Sequence, residues 1–358
     1  MPASVPTKKH SWIPIILLML IIGLAASCAP RTGPRPSSPV VDITPLPTRP
    51  TSTPRPTYTP TVAPLGSLEN PLIMALIALE PSRTQLNAAD ELAAYLASTT
   101  NIQVLPRFFE DYLTLEEAAI KNEVHMAWLG PIEYLLASEK GLLQASLVSN
   151  HLGVTAYGVQ FMANRASEFR AYFKEDVQQS TASNKTALAQ FSGLIPCYTD
   201  ETSLAGYWVP QGLLKDASVP TEKAILTLST AASLRSLYIT GICDFATTYA
   251  YLGDPRTASN ILEDLPDVNE RILIVWRSDA IIPNLNLSLA KTVDLPTQVI
   301  LRDTLQDYAR TPEGLAILTN ANDYEIAALE RVDDSAYTDL RYLLSIQQLR
   351  LYNLLDDN

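Results

Sequence analysis

The chain has 358 residues, 47% of them hydrophobic and 18% charged, with 26 prolines. That is enough for one large or two ordinary domains, and it excludes a wholly disordered chain or a multi-span membrane protein. Lys and Arg number 26 against 38 Asp and Glu. Six basic residues (Lys8, Lys9, Arg31, Arg35, Arg49, Arg55) and Asp42 alone precede Gly66, leaving 20 basic and 37 acidic residues, a net of −17, in the rest.

Such a surface repels polyphosphate and argues against nucleic acid as a partner. A small anion remains possible, because backbone N–H groups at a helix N-terminus can hold one whatever the global charge. Three cysteines and three histidines leave little room for a disulfide framework or a Cys/His metal site, and no metal or cofactor is expected.

Residues 1–28 have the layout of an export signal. A basic stretch (Lys8, Lys9, His10) precedes an apolar run at 12–26, and Ala25, Ala26 and Ser27 lead to Cys28. The run is about 15 residues and contains Pro14, whereas a spanning helix needs roughly 20. The small-small-Cys ending resembles a bacterial lipobox, with Ala25 where the commonest form has Leu. That resemblance implies lipidation of Cys28 and an extracytoplasmic protein held on the cell membrane; plain secretion and an uncleaved anchor are the alternatives. Residues 29–65 carry eleven of the prolines with many threonines. Proline fixes φ and removes a donor, and large apolar side chains are scarce, so this stretch reads as a semi-extended tether.

From Pro71 short apolar runs alternate with amphipathic stretches, the pattern of an α/β fold with largely parallel sheets. Strands are expected at 72–79, 102–108, 124–128, 154–163, 194–198, 243–248 and 271–276, and helices at 88–98, 113–121, 132–139, from 206, and at 231–240. The last eighty residues read as purely helical, at 295–308, 311–318 and 334–354. If the strands at 154–163 and 271–276 are both crossovers, lobe 1 comprises 66–153 plus 271–358 and lobe 2 comprises 154–270. Two lobes with a double-stranded hinge suit closure on a small ligand.

Four segments in order resemble the phosphonate-type periplasmic substrate-binding proteins of ABC transporters. Val124-His125-Met126-Ala127-Trp128-Leu129-Gly130-Pro131 with Tyr134 is similar to that family's D-[IV]-A-W-[FY]-G-P-x-x-Y turn. Asp200-Glu201-Thr202-Ser203-Leu204-Ala205-Gly206-Tyr207 with Pro210 is similar to D-x-x-S-T-S-G-Y-x-x-P. Thr240-Gly241-Ile242-Cys243-Asp244-Phe245-Ala246 is the third segment. Ile282-Pro283-Asn284, Thr311-Pro312-Glu313-Gly314 and 333–337 make up the fourth.

The resemblance covers 71–354. It implies a two-lobed, type II periplasmic-binding-protein fold that captures a small polar ligand, phosphonate-like or otherwise oxyanionic or zwitterionic, for an ABC permease. A ligand-sensing lipoprotein coupled to a signalling partner, or a scaffold that has lost its ligand, are the other readings of the same fold.

In the family the hydroxyl-rich turn opens a helix and receives an oxyanion. Here Leu204 and Ala205 replace two hydroxyl positions, so a tetrahedral phosphonate loses hydrogen bonds of about 1.5–3 kcal/mol each where the acceptor is charged. Leu129 likewise replaces an aromatic residue. Asp244 matches an acidic position that faces a ligand amine in some relatives.

The ligand-binding candidates are Ser82, Trp128, Tyr134, Tyr157, Thr202, Ser203 and Asp244, each with a plain structural alternative. Trp128 is cleft wall or core, Thr202 and Ser203 are helix caps before they are donors, and Asp244 contacts ligand or caps an element. Cys197 and Cys243 fall on strands that can be neighbours; buried free thiols are expected ahead of a disulfide. Catalysis is not expected. The mature part keeps only His125 and His151, and it carries no nucleophile elbow, zinc-binding helix motif or Gly-rich phosphate loop.

Overall fold

A computed structural model describes Gly33 and residues 62–355, except 251–253, 255 and 258–260. The export signal, Cys28 and nearly all of the tether lie outside the described residues. No helix among the described residues is long and apolar enough to cross a membrane.

The first run of elements is β1 (Leu72–Ile77), α1 (Arg83–Thr100), β2 (Val104–Phe109), α2 (Tyr112–Ile120), β3 (Met126–Leu129), α3 (Pro131–Glu139) and β4 (Leu143–Asn150). The second is β5 (Ala156–Asn164), β6 (Phe173–Lys174), β7 (Gln179–Ser180), α4 (Asn184–Leu188), β8 (Pro196–Tyr198), a π-helical turn at Leu204–Trp208, α5 (Val209–Asp216), β9 (Ile225–Leu226), α6 (Thr230–Tyr238) and β10 (Phe245–Ala250). Next come α7 (Ile261–Asp264), α8 (Val268–Arg271), β11 (Ile272–Arg277), β12 (Ile282–Pro283) and β13 (Asn286–Ala290). The chain finishes with α9 (Leu295–Tyr308), α10 (Pro312–Asn322), β14 (Ala328–Arg331) and α11 (Thr338–Ser345).

Local chemistry explains the boundaries. Ser82 Oγ accepts from Gln85 N while the Gln85 side chain accepts from Ser82 N, a reciprocal cap that starts α1, and Asn101 ends it in the left-handed region at φ 59°. The buried stripe Ala88, Ala89, Leu92, Ala93 and Leu96 has helical spacing and packs on the first sheet. Truncating Leu92, which is fully buried, removes about 2–5 kcal/mol.

Two six-stranded sheets form a two-lobed α/β fold. The first has the order β14-β4-β13-β3-β1-β2, with β1 parallel to β2 and β3 and with β13 antiparallel to β3 and β4. The second has the order β11-β5-β10-β8-β9, with β12 also on β5. There β8 is parallel to β9 and β10, while β5 runs antiparallel to β10 and β11. The chain leaves the first sheet after Asn150 and returns between Pro283 and Asn286. These two connections bond to each other: Asn284 N donates to Thr155 O at 3.0 Å and Asn284 Nδ2 to Val154 O at 2.7 Å, while Ser149 N donates to Leu285 O at 2.8 Å.

The architecture corrects three readings. The last eighty residues are not purely helical, because β13 lies in the middle of the first sheet and β14 closes its edge. At five and four residues they are too short to outweigh the helical periodicity around them. The expected strand at 271–276 is present as β11, but it pairs with β5 from Asn164 to Gln160 and belongs to the second sheet, so the return passage lies about ten residues later. Finally, Cys197 and Cys243 form a disulfide with Cα atoms 5.7 Å apart. Parallel pairing of β8 with β10 sets Cys197 opposite Ala246 and brings Cys243 within bridging distance.

The C-terminal helix also departs from the expected division. α11 packs on α5, where Tyr342 Oη donates to Asp216 Oδ1 at 2.7 Å and Gln347 Nε2 donates to Trp208 O at 3.0 Å.

Candidate functional site

A cleft of about 340 Å³ opens where the two sheets meet. His151, Leu152 and Val154 come from the outgoing connection and Asn284 from the returning one. Tyr157 extends from β5, Tyr249 and Ala250 from the end of β10, and Tyr324 from the segment between α10 and β14. Ser203, Leu204 and Ala205 supply the entry of the π-helical turn. Depressions of about 430 and 450 Å³ exist elsewhere, around α5 and the C-terminal segment, but this cleft collects both hinge connections, the second sheet and the segment before β14.

The turn at its floor is built by a cap. Ser203 is extended, its Oγ accepts from Gly206 N at 2.9 Å, and Tyr207 N and Trp208 N donate to its carbonyl. Gly206 is needed on steric grounds, because a Cβ there collides with Thr199 Oγ1 and comes within 2.9 Å of Ser203 Oγ.

Aromatic rings make up the walls. Tyr157 and Tyr249 meet edge to face with centroids 6.5 Å apart, and the His151 ring lies 4.7 Å from that of Tyr324. Burial raises the Tyr157 hydroxyl well above the ordinary phenol value, with Tyr324 and Tyr249 adding to the effect; burial pushes Tyr324 up to about 12. These phenols therefore stay protonated at physiological pH. The Tyr249 hydroxyl donates to Thr257 O at 2.5 Å, and His151 Nδ1 is 2.9 Å from Glu325 O.

Of the residues singled out from the sequence, the structure brings Tyr157 and Ser203 into the cleft. Thr202, next to Ser203, is exposed and donates to Asp200 Oδ1 from both N and Oγ1. Ser82 is the exposed cap of α1. Trp128 is buried among Leu147, Leu287 and Leu289 as core of the first sheet.

Tyr134 is fully buried, donates to Asp334 Oδ1 at 2.9 Å and packs on Tyr337 at 4.1 Å, also away from the cleft. Asp244 precedes β10 at the end opposite Tyr249, about 16 Å away along an extended strand. Its Oδ2 accepts from Ile195 N at 2.8 Å, a bond that aligns β10 with β8. His151, Tyr249 and Tyr324 went unrecognised, since each is a single side chain at an element end with no spacing to mark it. Asn284 stood within a matched segment without an assigned role.

Among the described residues no group of three or more His, Cys, Asp or Glu could hold a metal ion.

The family model described as the periplasmic substrate-binding protein of phosphonate ABC transporters matches residues 74–337. No curated protein matches the sequence. Among solved structures, XAC2383 from Xanthomonas citri bound to ATP is similar at 14% identity and TM-score 0.52, over 80% of this chain and 99% of that one. PhnD1 from Prochlorococcus marinus in complex with methylphosphonate aligns at 12% identity and TM-score 0.46, over 77% and 98%. A binding-protein component of a phosphonate ABC transporter from Pseudomonas aeruginosa aligns at 19% and TM-score 0.43, over 77% and 86%. At 14% identity the likeness to the Xanthomonas citri protein speaks to the fold alone.

Proposed function

Because the chain belongs to the phosphonate-type periplasmic substrate-binding proteins of ABC transporters, we propose that it captures a small polar solute in the cleft between its sheets. The solute then passes to a membrane permease without covalent chemistry. Such proteins bind substrates for transport and are not enzymes. The observation that carries this reading is the cleft itself, which draws its lining from the second sheet, from both hinge connections and, through Tyr324, from the segment that leads into the edge strand of the first sheet. A solute touching both sides favours the closed arrangement, because only differential affinity moves an open–closed equilibrium.

The anchor completes the proposal. Lipidation at Cys28 attaches the chain to the outer face of the cell membrane, each buried CH₂ contributing about 0.8 kcal/mol. A proline-rich tether at about 3.1 Å per residue then lets the two-lobed part move on the order of 100 Å from the anchor.

The test is the melting temperature of the full chain, purified in mild detergent, against a panel of phosphonates, phosphate, sulfonates, amines and nucleosides. A saturable rise with one class is the expected result; at 100 times Kd the folded state gains about 2.7 kcal/mol. A flat response to the panel and to fractionated cell extract contradicts capture.

A further inference from the structure

The cleft offers donors to an acid head and no carboxylate to an amine. The N–H groups of Leu204 and Ala205 open the π-helical turn and make no hydrogen bond within the protein, whereas the next one, Gly206 N, donates to Ser203 Oγ. Having accepted that bond, the Ser203 hydroxyl keeps its own proton to donate. The Tyr157 hydroxyl lines the same cleft from β5, makes no hydrogen bond within the protein, and is kept protonated by burial. Neutral donors of this kind suit a charged oxygen.

No Asp or Glu is among the described residues that line the cleft. Residues 251–253, 255 and 258–260, which follow Ala250 in the chain, contain no acid in the sequence either. Asp244, the acid that the family resemblance sets against a ligand amine, lies at the other end of β10 with Oδ2 accepting from Ile195 N. Asp200 accepts from Thr202 N and Oγ1, Asp254 pairs with the buried Arg256, and Glu325 is exposed outside the lining. Beside the donors stand Leu152, Val154, Leu204, Ala205 and Ala250. An ammonium group carried in on the ligand loses its water against these side chains without meeting an opposite charge, whereas an alkyl group of the same size gains by leaving water.

Resting on the capture reading, we infer that the cleft takes a phosphonate whose substituent is an uncharged alkyl or aryl group, with the acid head on the turn at Ser203, Leu204 and Ala205, and that it discriminates against phosphonates bearing an amine.

Titration calorimetry of the full chain with propylphosphonate and aminoethylphosphonate tests the assignment, because the two have the same chain length and differ by a methyl against an ammonium group. The expected result is saturable binding of propylphosphonate, about tenfold or more tighter than the amine. Leu204→Asp sets a carboxylate in the lining and is expected to shift the ratio of the two affinities about tenfold toward the amine. The melting temperature of the unliganded variant reports folding, and Ala250→Asp repeats the measurement from β10 if Leu204→Asp does not fold. Equal affinities in the parent chain, or tighter binding of the amine, overturn the inference, and so does a ratio that a folded variant leaves unchanged. If neither phosphonate binds but a molecule from cell extract does, the ligand assignment falls and capture stands. If nothing binds, both fall.

Discussion

Tyr342 donates its hydroxyl to Asp216 at 2.7 Å, and this bond ties the C-terminal helix to α5 beside the second sheet. Asn184 Nδ2 reaches the other carboxylate oxygen at 2.8 Å. With the Tyr342 bond as the larger cause and Asn184 next, the Asp216 carboxyl is held below its ordinary value. A depressed acid stabilises the folded state above its unfolded pKa of about 3.9 and loses that contribution as pH falls through the folded value. Tyr342→Phe is expected to lower the melting temperature at pH 7 and to leave a smaller further loss below about pH 4. An acid limb identical to that of the parent chain would show that the bond does not couple to folding.

The Cys197–Cys243 bridge closes a loop with a sequence separation of 46. On the chain-entropy account this corresponds to about 4 kcal/mol of stability. Replacing both cysteines by Ala is expected to lower the denaturant midpoint and to steepen the slope, because the unfolded chain without the bridge exposes more surface. The intact mass of the oxidised protein, measured after alkylation under denaturing conditions, checks the premise: labelling of both Cys197 and Cys243 contradicts the bridge.

Gly206→Ala puts a methyl group against Thr199 Oγ1 and Ser203 Oγ. The turn must shift, and overpacking of this kind costs about 1–3 kcal/mol. The cleft floor moves with it, so ligand affinity is expected to fall together with melting temperature. An unchanged affinity would mean that the turn does not shape the site.

The α/β alternation and strands such as β1, β3, β5 and β10 were legible because apolar periodicity acts locally. The helix expected at 88–98 starts earlier, at Arg83, behind the Ser82 and Gln85 cap, which apolar periodicity does not mark. β13 and β14 were not legible, since a strand of four or five residues between helices takes its identity from neighbours far away in the chain. The same reason separates the site residues. Ser203 and Tyr157 were found from a motif and from a long alternating strand, whereas Tyr324 reaches the cleft only because β14 joins β4 and carries the preceding segment to the hinge. Trp128 and Asp244 stand in matched motifs, yet the first fills the core and the second aligns two strands.

Native mass spectrometry of the full chain released gently from its own membranes tests the central claim of capture most directly. The account predicts a small-molecule mass that leaves on mild activation and is missing from Leu204→Trp, whose indole fills the cleft. A parent chain with no carried mass that gains none after incubation with cell extract, or a Leu204→Trp chain that carries the same mass, would contradict capture between the two sheets.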